Sequence, residues 1–181
     1  VSLPNSIIRI EDSAFAGCTN LSQIALGDSV TSIGTTAFKD CALTHVELPK
    51  NLNTIGADAF DYTEIQSFNG GPTENDGLTI ILNNKIRAVA LDGIKDGKYT
   101  MPAGVKSVDA DVFKNCTKIS EVNIDNIQAW LDIDFINQYS NPLHNGAVLK
   151  LDNEDVTDVT FPEKMTVVKP YTFYGCNSLR S

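Results

Sequence analysis

A block of apolar residues returns along this chain at a nearly fixed interval, and that return limits the fold more than any other feature. The first copy reads Ile10, Ala14-Phe15, Cys18, Leu21, Ile24 and Leu26. The second reads Ile33, Ala37-Phe38, Cys41, Leu43, Val46 and Leu48, and the third Ile55, Ala59-Phe60, Thr63, Ile65 and Phe68. Phe15 and Phe38 lie 23 residues apart, and Phe38 and Phe60 lie 22 apart, one loop position being lost just after Cys41. A fourth copy runs Val108, Val112-Phe113, Cys116, Ile119, Val122 and Ile124, and a shorter one Val168, Thr172-Phe173, Cys176 and Leu179.

A period of about 20–29 residues with L-x-x-L-x-L spacing marks a leucine-rich repeat. Within Leu21-x-x-Ile24-x-Leu26 the last two apolar residues alternate as on a strand with one buried face. One such turn cannot bury that face alone; stacked turns bury it against each other and build a one-dimensional core. Leu3-Pro4, Leu48-Pro49, Met101-Pro102 and Phe161-Pro162 each close a strand, because proline has no N–H to give a ladder. The Ala-Phe pair is expected in a short helical or 3-10 turn that drops the ring inward. The common leucine-rich pattern continues with Asn or Cys two residues after L-x-L. Here Leu48 leads instead to Pro49, Lys50 and Asn51, and the cysteine sits three residues after the Phe.

The string Val30-x-x-Ile33-Gly34-x-x-Ala37-Phe38-x-x-Cys41, recurring along nearly the whole chain, resembles the BspA-type leucine-rich repeat. That resemblance implies a right-handed superhelix of the α/β solenoid class, strand-rich, with short helical or 3-10 turns and one inserted helix. It also implies a surface or secreted protein of a host-associated bacterium (some protozoa carry the family too). Adhesion and binding of host extracellular or other surface proteins are the roles it suggests. The chain reads as one repeat domain over 1–181, beginning and stopping inside repeats as a stretch of a longer protein does.

Two segments break the period, at about 69–98 and 125–156. In the first, Leu78 to Leu82 and Ile86 to Leu91 flank Asn83-Asn84-Lys85 and read as a hairpin. In the second, Asp125 or Asn126 caps a helix carrying Ile127, Trp130, Leu131 and Phe135, ended by Asn141-Pro142. Ala147 to Leu151 and Val156 to Phe161 then form a hairpin around Asp152-Asn153. Insertions with Trp-Leu followed by Asn-Pro-Leu occur in the family the chain resembles; here they are Trp130-Leu131 and Asn141-Pro142-Leu143. Two readings stand: the insertions extend the solenoid, or they form a binding ridge.

The chemistry the chain offers is sparse. Asp and Glu number 23 against 14 Lys and Arg, a net charge of −9 that disfavours a nucleic-acid partner. No run of about 18 apolar residues would insert in a membrane, and no signal-peptide pattern is present. Cys18, Cys41, Cys116 and Cys176 share one repeat position and read as a buried ladder, with Cys18–Cys41 the one pairing that stacking would bring into bridging range. His45 and His144 lie near no nucleophile motif, and no G-x-S-x-G, H-E-x-x-H or P-loop string occurs. Asp152, Glu154, Asp155 and Asp158 lack the glycine and spaced glutamate of a calcium loop, and read as a solvated turn. The expectation is therefore no catalysis, no cofactor and no metal.

What remains is a face. If Ile24 and Leu26 point inward, Gln23 and Ala25 point out, and the same register exposes His45 and Glu47, then Ser67 and Asn69. It continues with Lys98 and Thr100, Glu121 and Asn123, then Asp158 and Thr160. This is the candidate concave binding face of a non-enzymatic module. The row contains no Trp, Tyr or Phe, so a spacer with no ligand of its own is the other reading. Tyr62 and Tyr139 are the exposed aromatic anchors to look for elsewhere, and Tyr171 and Tyr174 are expected to cover the last turn.

Overall fold

Parallel pairing between equivalent residues of successive turns builds the structure. The computed structural model describes residues 1–180, and the chain divides into two units, Val1–Gly93 and Ile94–Ser181.

In unit 1, strands β1 (Arg9–Ile10), β2 (Ser32–Ile33) and β4 (Thr54–Ile55) form one parallel ladder, with Ile10, Ile33 and Ile55 in register and buried. Strands β3 (His45–Leu48) and β5 (Ser67–Gly70) form a second. Between the ladders the repeated phenylalanines stack. Phe15 and Phe38 have ring centroids 5.3 Å apart and planes at 6°, and Phe38 and Phe60 are 5.5 Å apart at 7°. Phe38 is 0% exposed, so the period read from the sequence is the rise of the core.

The Ala-Phe segment is a turn in these copies, closed by three-residue bonds of the 3-10 kind but with no continuous helix. Its N–H groups alternate between two destinations. Those of Ser13, Phe15 and Gly17 reach the next turn, at Thr35 O (2.9 Å), Ala37 O (2.8 Å) and Lys39 O (2.8 Å). Those of Ala14, Ala16 and Cys18 bond back three residues, to Glu11, Ser13 and Phe15. A continuous helix would keep every N–H for itself. Alternation requires the backbone to flip, and Ser13, Thr36 and Asp58 carry φ of 57°, 53° and 55° to do so. Gly34 to Cys41 repeat the pattern against the third turn.

Unit 1 ends in an antiparallel meander of β6 (Thr73–Glu74), β7 (Thr79–Leu82) and β8 (Lys85–Val89). The hairpin expected here is present. Its loop is the two residues Asn83 and Asn84 at φ 55° and 59°, with Lys85 already in the strand. Two successive left-handed residues match the twist of a tight hairpin, and Asn tolerates them best after Gly.

In unit 2, β9 (Lys98–Thr100), β11 (Glu121–Ile124) and β13 (Val148–Leu151) run parallel, and β14 (Glu154–Asp155) turns back antiparallel on β13 through Asp152-Asn153. Strand β10 (Ser107–Val108) pairs in parallel with β12 (Asp134–Phe135). The 125–156 segment therefore carries both ladders onward. Helix α1 spans Ile127–Leu131, capped by Asn126, whose Oδ1 accepts from Ala129 N at 3.0 Å. It stops short of Phe135, which the i, i+3, i+4 spacing had placed on it; that residue lies in β12 instead. The fold is a strand-rich solenoid with little helix, five residues of α1 and two three-residue 3-10 helices among the described residues.

The cysteine ladder holds inside and opens at one end. Cys41 and Cys116 are buried, Cys176 half-buried and Cys18 exposed, and all four are free thiols. Cys41 Sγ donates to Phe15 O at 3.1 Å, and Thr63 Oγ1 makes a like bond to Phe60 O at 2.7 Å. Burial pushes the Cys41 thiol up.

Candidate functional site

The outward row is set by pleat and register. In β3, Val46 and Leu48 are buried while His45 and Glu47 are exposed. Parallel pairing with β5 places His45 opposite Ser67 and Glu47 opposite Asn69. A bridge from Ala25 to Glu47, and one from Ser2 to Ala25, extend the row to the first turn. Gln23 is exposed at the start of that turn. Unit 1 thus sets His45, Glu47, Ser67 and Asn69 side by side on one face, with Gln23 exposed two residues before Ala25. The His45 ring Nδ1 lies 3.1 Å from Thr44 Oγ1. Gly70 closes β5 at φ +64°, where an added Cβ would come within 2.8 Å of both Leu48 O and the Glu47 carboxylate. That position needs glycine for conformation and for room.

In unit 2 the pairing sets Lys98 beside Glu121 beside Val148, and Thr100 beside Asn123 beside Lys150. Lys98 Nζ lies 3.5 Å from Glu121 Oε2, and Lys150 Nζ lies 2.9 Å from Asp155 Oδ1. The hydrogen bond to Asp155 pushes the Lys150 ammonium up from its ordinary value. Adjacent opposite charges across strands satisfy each other. Asp158 does not follow Asn123 in this row. Val148 and Lys150 occupy the next rung, and Asp158 lies beyond the hairpin with its Oδ2 accepting from Thr157 Oγ1 at 2.8 Å. Sequence reasoning misses that rung because it assigns Ala147 to Leu151 only to a hairpin. The alternation of Val148, Leu149, Lys150 and Leu151 was the available signal.

The remaining candidates fall away from this face. Tyr62 is 55% exposed with Lys39 Nζ 5.1 Å from its ring centre, while Tyr139 is half-buried between Lys114 and His144. Tyr171 and Tyr174 pack edge-on with centroids 6.1 Å apart and both remain exposed. His144 places Nδ1 3.0 Å from Asn141 O, and burial lowers its pKa below the usual 6.5. Among the described residues no helix is long and apolar enough to cross a membrane, and no three His, Cys, Asp or Glu gather as metal ligands.

A stack of short parallel turns with a polar outward row defines a strand-rich repeat protein. The BspA type Leucine rich repeat region matches in six copies over residues 1–83, 84–139 and 151–181. The chain belongs to the BspA-type leucine-rich repeat family. Among solved structures it is similar to a leucine rich cell surface protein of Faecalibacterium prausnitzii, at 23% identity and TM-score 0.62, over 73% of this chain and 36% of that one. It is also similar to the pneumococcal vaccine antigen PcpA, at 18% identity and TM-score 0.54, over 68% of this chain and 33% of that one. The chain thus spans about a third of each of these proteins, and the likeness is one of fold. No curated protein matches the sequence.

Proposed function

We propose that this chain is a non-enzymatic protein-binding module of a bacterial cell-surface or secreted repeat protein, engaging host extracellular or other surface proteins through its outward strand row. The observation that carries this reading is the register: His45 with Ser67, Glu47 with Asn69, and Lys98 with Glu121 stand as paired polar rungs on rigid strands. Rigid elements present side chains with little ordering cost, which favours binding. Family membership and a neighbour described as a cell surface protein support an extracellular setting. We take the winding to be right-handed, the hand that parallel crossover connections adopt.

One observation favours a spacer instead. Lys98–Glu121 and Lys150–Asp155 neutralise each other on the face itself, and no aromatic ring stands in the row. The test is binding of the chain to an array of extracellular-matrix proteins and glycans, beside the quadruple variant His45→Ala, Glu47→Ala, Glu121→Ala and Asn123→Ala. Saturable binding to one partner, lost in the variant, is the expected result. Silence across the array with both proteins folded would leave the spacer.

A further inference from the structure

Four extra residues stand between two fixed points of unit 2. From Met101 to Val108 is seven residues, as from Leu26 to Ile33 and from Leu48 to Ile55; from Ile124 to Phe135 is eleven. Both ends of these two spans are tied together: Met101 N donates to Asn123 O at 2.9 Å, and Val108 pairs with Phe135. The longer span cannot lie flat on the shorter. It rises as α1 and leaves a half-open pocket of about 110 Å³ against the loop that follows β9. Met101, Val105, Ile124, Trp130 and Ile133 line it and are buried, each at most 5% exposed. Small side chains at Ala103 and Ala129, both exposed, leave the mouth open. Asp125 is the one charged residue in the lining, and it too is exposed.

We propose that this pocket receives one large apolar side chain, Phe or Leu, from a partner segment whose adjoining residue is Lys or Arg and sits against Asp125. Interface affinity concentrates where an anchor fills a desolvated pocket, with charge at the rim setting choice of partner. The strand row offers polar rungs instead. An acidic rim on a chain of net charge −9 disfavours an acidic segment. The inference rests on the protein-binding reading and gives it an anchor.

Trp130 is the single tryptophan, and its ring is held by a bond from Nε1 to Thr172 O at 3.1 Å. Its emission therefore reports the pocket. The probe is acetyl-Phe-Arg-amide, for which a Kd of about 1 mM is expected from one buried side chain. Acetyl-Ala-Arg-amide should bind at least about tenfold more weakly for lack of the anchor. Acetyl-Phe-Glu-amide, and acetyl-Phe-Arg-amide with Asp125→Asn, should each lose about threefold, the loss shrinking in salt. Ala129→Leu, at an exposed helix position on the mouth, should abolish the response while the melting temperature holds. No Trp130 response up to about 10 mM peptide, or equal binding by the Ala129→Leu variant, would overturn the pocket. Equal binding of the Arg and Glu peptides would overturn the charge preference. A protein partner from the array that survives Ala129→Leu but not the strand-row variant would sink the pocket and leave the binding module standing.

Discussion

The two units hold their turns in register by different means. In unit 1 equivalent strands repeat after 23 and then 22 residues, as Arg9, Ser32 and Thr54 do. Nearly equal spacing lets identical side chains superpose, and the near-parallel rings of Phe15, Phe38 and Phe60 are the result. In unit 2 the step from Lys98 to Glu121 is 23 residues, but those from Glu121 to Val148 and from Ser107 to Asp134 are 27. Rings there meet at angles, Tyr99 with Phe113 at 77° and Trp130 with Phe135 at 52°. Buried side-chain amides add directional bonds of their own. The fully buried Asn141 gives Nδ2 to Tyr171 O (2.6 Å) and Thr172 O (3.2 Å) and accepts from Leu143 N (2.8 Å). Asn137 Nδ2 reaches Asp111 Oδ1 at 2.8 Å. Apolar stacking tolerates sliding but needs repetition; a hydrogen-bonded amide needs no repetition and tolerates no sliding.

Breaking each device tests that contrast. Phe38→Ala removes the middle ring of the stack and should cost about 3–5 kcal/mol by chemical denaturation. A loss under about 1 kcal/mol would show that stacking is not what holds unit 1. Asn141→Ala orphans a buried N–H and strips two carbonyls of a donor, and should cost about 2–3 kcal/mol. Hydrogen exchange at the Leu143 amide should accelerate with it; unchanged protection there would mean the side chain is not the clamp. The smallest effect is electrostatic. Burial holds the His144 pKa below its unfolded value of 6.5, so the folded state prefers the neutral ring. Below that pH the unfolded chain takes the proton first, and His144 contributes a loss of stability as pH falls through 6.5. Its ring signals in a two-dimensional NMR titration should move at a pH under 6.5; a midpoint at or above it would mean water reaches the ring freely.

Much of this was legible in the sequence because repetition multiplies a weak signal. One L-x-x-L-x-L is noise, whereas Phe15, Phe38, Phe60, Phe113 and Phe173 at the same place in five copies are not. Asn83-Asn84 and Asp152-Asn153 marked their hairpins through residues that accept positive φ. Most of the outward row followed from alternation alone. The misreadings share a cause. Phe135 and the rung of Val148 and Lys150 lie where no neighbouring copy shows the register, so local periodicity had to decide and chose helix or hairpin. The alternating turn bonds were hidden because Ser13, Thr36 and Asp58 give no glycine to announce a left-handed backbone. The pocket beside Trp130 was hidden too, since it depends on counting two spans against each other rather than on any motif.

Ser13, Thr36, Asp58, Asp111 and Tyr171 all hold φ between 53° and 63°, two residues before the Phe of their copies. Side chains other than glycine adopt that conformation at a cost of roughly 1 kcal/mol or more, and in unit 1 bonds to the following turn outweigh it. The backbone there is dictated by the neighbour, not by the residue. Hydroxyl, carboxylate and phenol have all been accepted, so the column behaves as a blank line on which chemistry can be rewritten while the winding beneath stays the same.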